Sequence, residues 1–530
     1  MVKYLDNNSG FNMWNANRDT GANAKPKSRL GTFLWWGILF LGTWWLFSMW
    51  RAPQNVPAPT EAENAIVATD VSNLPGREIS SEKITASVQG LRVSKVALQD
   101  FAASSNIDDD SRVTLLAADG DFIQVGLNAT GTTAPDEKTE WKESDGKMIW
   151  RNSDGVIFNR SISADGYLIT ITDSVENKTR HEVSFAPYAR IVRSGKSNSA
   201  GVATGAITNS NSKVRYTDWH KMSKKSYAYS TTNGFIGFAD QHWETIANLD
   251  APDQTMRVKS ISDKYMTDAL AAAVRVAPGE TGIFTTTIFA GPRDQRILDA
   301  AATTIGGIDS TIDYGWFWFL ARPMLWALNI LNSFVMNYGV AIILLTILLR
   351  LLMWPLTRKS YTSSIAMQKM QPELQRIQKL YANDKARLQM EMMNLYRTHK
   401  TSPMSGCLPM LIQIPIFFAL YKALLVSVQM RNAHFLWIHD LAAMDPYFIL
   451  PILMGVTMWL QQYLQSGRAS NKNAQSGDVA AQTARMMKWL PVIFAVMFAW
   501  MPAGLVLYWT VSNLFGVFQT YIIKRQLNNK

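Results

Sequence analysis

The sequence predicts a polytopic α-helical membrane protein of six transmembrane helices, with a large β-sandwich between the first helix and the rest. Three observations carry that expectation. Apolar runs of the length that crosses a bilayer, ~17–25 residues, occur at 30–50, 337–357, 408–430 and 447–464, and twice within 489–523. Between the first two lies a stretch of alternating and β-branched residues punctuated by Asp-Gly pairs, the texture of an antiparallel sandwich. Charge is also divided: residues 52–315 hold 26 Lys and Arg against 33 Asp and Glu, whereas the remainder holds 26 against 8. The basic excess therefore sits beside the apolar runs, which suits anionic membrane lipids and acidic partners. No basic run interleaved with stacking aromatics outside the spans speaks for direct nucleic-acid binding.

Taken in order, residues 1–29 read as a polar, disordered cytoplasmic arm ending in Lys25, Lys27 and Arg29. Residues 30–51 form the first transmembrane anchor, with Trp35, Trp36, Trp44 and Trp45 suited to its interfaces. A cleaved signal peptide is the competing reading; the run is long for one, starts late and lacks a small-x-small site before Arg51. Residues 52–80 are a Pro/Ala-rich linker. Residues 81–315 contain the sandwich and a connecting helix, with strands expected at 111–116, 122–127, 167–172 and 282–290. Asp119-Gly120, Asp154-Gly155 and Asp165-Gly166 are its turn signals.

Residues 316–333 place Arg322, Asn329 and Asn332 on one helical face, as in a helix lying in the interface plane. The alternative is an entry extension of the next span, interrupted at Pro323. Residues 334–524 form the membrane core. Within it, 358–400 reads as a cytoplasmic helical hairpin divided at Asn383-Asp384, with nine Lys and Arg against three acids. Met367, Met370 and Met392 recur there at helical spacing; they form either a mobile surface for apolar helices or the packing between the hairpin's own helices. The run 489–523 is too long for one crossing and turns at Met501-Pro502-Ala503-Gly504. Residues 525–530 are a short tail. The positive-inside rule places the hairpin, the 465–488 loop and both termini in the cytoplasm, and 52–315 on the far side.

The chemistry centres on Arg350, inside the 337–357 run. At 1.5 Å rise per residue it lies about 12 Å within a boundary near Arg358, where a lipid-facing guanidinium costs at least ~2.5–3.5 kcal/mol. The apolar segments 408–430, 447–464 and 489–523 contain no Asp or Glu, so no carboxylate of this half can neutralise it. Water, backbone carbonyls, lipid phosphate or a substrate's polar group remain as partners. Thr346 lies one turn earlier on the same face. Gln413 lies in the third span, while Trp509, Ser512, Asn513 and Gly516 recur at i, i+3, i+4 and i+7 in the last. Such residues either bond helix to helix or, with an unpaired arginine among them, line a wet groove.

There is no nucleophile–base constellation, no metal-binding helix motif, no complete phosphate loop and no dinucleotide fingerprint. The single Cys407 excludes an intrachain disulfide and any multi-cysteine metal site. The expectation is therefore a non-enzyme with no cofactor and no metal. An anion transporter using Arg350 is the rival class; it would be expected to carry inverted repeats, and none is evident.

The segments IDYGWFWFLARP (312–323), LLRLLMWPLTRKSYTSS (348–364), GCLPMLIQIPIFFALY (406–421), FLWIHDLAAMDPYFILPILMGVTM (435–458) and MPAGLVLYWTVSNL (501–514) resemble the YidC family of membrane protein insertases. So does QPELQRIQKLYANDKARLQMEMMNLYR at 371–397. The domain ahead of them resembles the Gram-negative bacterial type. The resemblance implies a periplasmic β-supersandwich, a five-helix insertase core and residence in the inner membrane. It also implies insertion and folding of client transmembrane segments, alone or with the Sec translocon. The partners implied are nascent membrane proteins, membrane lipids, and ribosome or targeting factors at the cytoplasmic loops. Its hydrophilic groove is lined by an arginine matching Arg350, and Thr346 and Gln413 match groove positions. Trp509 stands where a tyrosine is frequent, with Tyr508 beside it. Lys422 stands where an uncharged residue is common, and nothing in the sequence explains it. The short tail lacks the basic extension that some relatives use on ribosomes.

Overall fold

The computed structural model describes residues 71–528 apart from 72, 105–109, 196–201, 262, 400–407 and 467–478. The expectations for 1–29, for 30–51 and for most of the 52–80 linker lie outside the described residues.

Period-two alternation builds the first half. Strand Leu168–Asn177 (LITITDSVEN) buries every second residue: Ile169, Ile171, Asp173, Val175 and Asn177. It pairs on one side with Val156–Asp165 and on the other with Thr281–Pro292, both antiparallel. These belong to a nine-stranded sheet; a ten-stranded sheet runs from Gly76–Ser80 to Tyr227–Thr231, and together they form the sandwich. The expected strand stopped at Thr172 because the residues after it are polar. The structure continues it because Asp173 turns inward opposite Arg160, whose Nε and Nη2 donate to its carboxylate at 2.7 Å each. Both side chains are buried, so each charge needs the other. The Asp-Gly pairs do turn the chain, with Gly120 and Gly155 at φ 82° and 101°.

Two short helices, α1 (Trp219–Met222) and α2 (Gln295–Ala301), interrupt or follow the strands. The helical half begins with α3 (Trp318–Val335), Pro323 lying inside it. Asn337 caps α4 (Tyr338–Leu352), its Oδ1 accepting from Val340 N at 3.1 Å. The sequence reading carried this helix to Thr357. Instead it stops at Met353, and α5 (Trp354–Lys369) leaves at 60°. Pro355 has no N–H to give the carbonyl of Leu351, and it is tolerated in the first turn of a new helix.

The 358–400 hairpin is likewise three helices rather than two: α5, α6 (Gln371–Leu380) and α7 (Lys385–Thr398). Asp384 Oδ1 accepts from Arg387 N at 3.0 Å and starts α7, at the division the sequence indicated. The additional break falls at Met370, ahead of Pro372 in the first turn of α6. Then come α8 (Leu408–Val426), α9 (Ile449–Ser466), α10 (Val479–Phe498) and α11 (Ala503–Asn528).

Asp445, in the loop before α9, is buried and organises the start of that helix. It accepts from Trp437 Nε1, Tyr447 N and Leu450 N at 2.7–3.1 Å. The same loop finishes the turn into α11, because Ala443 O and Leu441 O accept from Ala503 N and Gly504 N. By length and composition only α11 is a full span among the described helices. The α4–α5 pair passes the same test as one broken span, and Ile412–Val426, Ile449–Leu464 and Trp489–Phe498 are shorter apolar helices.

Candidate functional site

Helices α4, α8 and α11 converge on Arg350. Its Nε and Nη2 donate to Ser512 Oγ at 2.9 and 2.5 Å. A hydroxyl, rather than a carboxylate, is therefore its neighbour. Ser512 lies one turn after Tyr508 on α11, and both are 2% exposed. The Tyr508 hydroxyl accepts from Gln413 Nε2 of α8 at 2.6 Å. Thr346, fully buried one turn before Arg350, donates its hydroxyl back to Ile342 O at 2.6 Å. Thr346, Arg350, Gln413 and Tyr508 border one cavity of about 20 Å³, which is room for a single water.

The structure brings together Arg350, Thr346, Gln413, Tyr508 and Ser512, and separates Trp509 and Asn513 from them. Trp509 packs into an aromatic cluster, its ring centroid 4.9 Å from Phe417, 5.2 Å from Phe498 and 5.9 Å from Phe494. Asn513 Nδ2 reaches Met454 O of α9 at 3.5 Å. Gly516 abuts Gln461, also on α9. The spacing of 509, 512, 513 and 516 is a genuine arc, but it spans roughly 100° of a helix with partners on several sides. The stripe facing Arg350 runs through Tyr508 and Ser512, one residue aside from the arc that the sequence centred on Trp509.

Sequence reasoning missed Thr357, whose hydroxyl donates to Met353 O at 2.8 Å as it borders the same cavity. Helical spacing could have found it, since Thr357 is seven residues after Arg350 and falls on the same face as Arg350 and Thr346. On α5–α7, Met370 is 4% exposed and packs inward, and Met367 and Met392 are half-buried. The exposed methionines of that region are Met390 and Met393. For Met370, packing between helices is the reading that fits; it is not surface. His434 and His439 stack edge to face at 5.6 Å, and no group of three metal-ligating side chains occurs among the described residues.

A β-sandwich joined to apolar helices that gather a cation and hydroxyls at their centre defines the class, an α-helical membrane protein with a β-sandwich domain. Residues 79–327 match the family described as YidC periplasmic domain, and residues 330–530 match the 60Kd inner membrane protein family. The membrane protein insertase YidC of Beijerinckia indica subsp. indica is 33% identical over 540 residues, covering 91% of this chain and 86% of that protein. That of Syntrophus aciditrophicus is 48% identical over 253 residues, 47% of this chain and 44% of its own. A crystal structure of an active YidC insertase with its first transmembrane domain resolved aligns over 86% of this chain and 96% of that one, at 20% identity and TM-score 0.36. The chain belongs to the YidC family of membrane protein insertases, inner-membrane proteins with a periplasmic β-sandwich domain.

Proposed function

We propose that this chain inserts and folds transmembrane segments of client proteins, and that the polar centre formed by α4, α8 and α11 is where a client's polar flank is received. The observation that carries this is Arg350, a guanidinium set among apolar helices and held by one serine hydroxyl. A cation so placed keeps donors for an acidic or carbonyl group arriving on a client. Ser512, Gln413 and Tyr508 offer further polar groups, so a flank entering there exchanges water for fixed dipoles rather than for lipid. The small cavity is then the resting state, and entry of a client requires α8 to move away from α4 and α11. No nucleotide chemistry is needed.

Six crossings follow from this reading: 30–50, α4, α8, α9, the apolar end of α10, and α11. Both termini and 358–400 are cytoplasmic, and the sandwich is periplasmic. Protease added outside right-side-out vesicles should digest 76–292 and spare 358–400; cleavage confined to 358–400 would overturn the orientation. Cooperation with the Sec translocon, and ribosome or targeting-factor docking at the cytoplasmic loops, belong to the same proposal. The anion-transporter alternative is not favoured, because the relatives matched over most of this chain are membrane protein insertases. Vesicles containing the purified protein should insert a small single-span client and take up no anion; anion uptake without insertion would reverse the conclusion.

A further inference from the structure

A second and much larger cavity, of about 720 Å³, opens where α2, α3 and the end of α8 meet. Arg293 and Asp294 reach its wall but are already engaged. Arg293 is fully buried against Glu244 and donates to Thr311 O, and Asp294 caps α2 and accepts from Gln429. Four charges remain. Arg322 has weak bonds to Gln295 Oε1 and Asp309 O, at 3.3 and 3.5 Å, and no carboxylate within ion-pair distance among the described residues. Arg296 is exposed, with Asp294 at 3.5 Å. Asp299 accepts from Gln295 at 2.6 Å, and among the described residues the Asp309 carboxylate has only Ser310 at 3.4 Å. At the mouth, Trp326 and Ile330 are 68% and 37% exposed, in line along α3 with exposed Phe319 and Phe334.

We propose that this cavity binds the headgroup of a zwitterionic phospholipid bearing a primary ammonium, phosphoethanolamine, with its acyl chains lying along the Trp326–Ile330 stripe. Two guanidinium groups match phosphate oxygens in charge and in forked geometry. Two carboxylates match an ammonium, which carries three donors. The balance of charge selects the headgroup. A glycerol headgroup would bring a net anion against Asp299 and Asp309, and a choline offers them no donor. The apolar stripe is otherwise an exposed patch beside a polar cavity, and a lipid tail covers it. Bound there, the lipid bridges the sandwich side, through Arg296, Asp299 and Asp309, to α3.

The proposal rests on α3 lying at the lipid boundary, and the test separates the two. Full-length protein in neutral detergent is titrated with dioleoyl phosphatidylethanolamine, -choline or -glycerol while thermal stability is followed. The ethanolamine lipid should reach half-effect at an about tenfold lower mole fraction than the other two, the worth of one charge-assisted contact. Asp299→Asn should erase that preference, Arg322→Gln should raise the half-point of all three lipids, Arg322→Lys should raise it less, and Arg376→Gln on α6 should change neither. Equal half-points for the three lipids, an unchanged preference in Asp299→Asn, or unchanged half-points in Arg322→Gln, would overturn the headgroup site. Soluble phosphoethanolamine acting at the lipid's own concentration would overturn the assignment to a lipid. A photo-crosslinking residue in place of Ile330 should capture the lipid, and capture of none would overturn the placement of α3.

Discussion

The ammonium of Lys422 on α8 lies 3.1 Å from the carboxylate of Asp313, in the segment that leads from the sandwich into α3. Gly315 lets the Lys422 stem pass close by: a Cβ there would lie 3.2 Å from Cε, at a backbone φ of 69°. The charge that had no explanation in the sequence thus joins the two halves at their junction. The segment after α8 adds to it, Arg431 donating to Ala102 O and Ala103 O at 2.7 and 2.6 Å. Both partners of the ion pair are partly exposed, at 22% and 40%, so its worth is small. Lys422→Gln and Asp313→Asn should each cost less than about 1 kcal/mol, and the double variant little more than either alone. Thermal melts of the four proteins check this, and additive losses would mean that the two residues act separately.

Gly339 and Gly516 differ sharply in what surrounds them. A Cβ at Gly339 would enter the Phe435 ring, whereas one at Gly516 would meet only the movable amide of Gln461. Gly339→Ala should therefore destabilise by about 1–3 kcal/mol. Gly516→Ala should be close to neutral, because a helix-propensity gain of up to about 1 kcal/mol offsets the crowding. Comparable melting temperatures for the two variants would contradict this packing.

Burial, with Arg431 and Arg293 nearby, pushes His242 down to about 4. Unfolded chains protonate this side chain below its ordinary value of 6.5 while the folded protein does not. Its contribution is therefore present above pH 6.5 and lost as pH falls toward 4, by roughly 3 kcal/mol in all. Glu244, raised by burial to about 7, acts in the opposite sense, losing stability as pH rises from 4.5 through 7. The difference between the wild type and His242→Gln isolates the histidine. Melting temperature measured from pH 7 to pH 4 should fall less in the variant, and parallel curves would refute it.

Tyr508 and Trp509 are adjacent yet face different neighbours. Tyr508→Phe removes the acceptor of Gln413, so about 1 kcal/mol of stability and part of the insertion rate should go. Trp509→Phe keeps an aromatic ring among Phe417, Phe494 and Phe498 and should insert clients nearly as well as wild type. The opposite ranking in a vesicle insertion assay would restore Trp509 as the residue facing the polar centre.

Much of this architecture was legible because its causes are local. Alternation and Asp-Gly turns marked the sheet, and Asn383-Asp384 marked a helix start because Asp384 caps it. What stayed hidden depends on partners distant in sequence. Asp173 looks like the end of a strand until Arg160 stands opposite. Lys422 looks misplaced until Asp313 arrives from the other half. The polar centre was half legible: the missing carboxylate isolated Arg350, and the candidates included Ser512, but helical periodicity could not tell which flank of α11 faces α4. The break at Met353 is signalled by Pro355, which the apolar run 337–357 passes over.

Arg350 carries the central claim, that a positive charge receives a client's polar flank. The measurement is insertion of two clients differing only in the charge of the translocated flank, with thermal stability recorded alongside. Arg350→Lys should retain most insertion of both, since the charge survives while the fork to Ser512 is lost. Arg350→Ala should slow the acidic-flank client about tenfold, the worth of one charge-assisted hydrogen bond, and spare the apolar-flank client. Equal losses for both clients in Lys and Ala variants, tracking lost stability, would make Arg350 a structural bond to Ser512 and contradict the account.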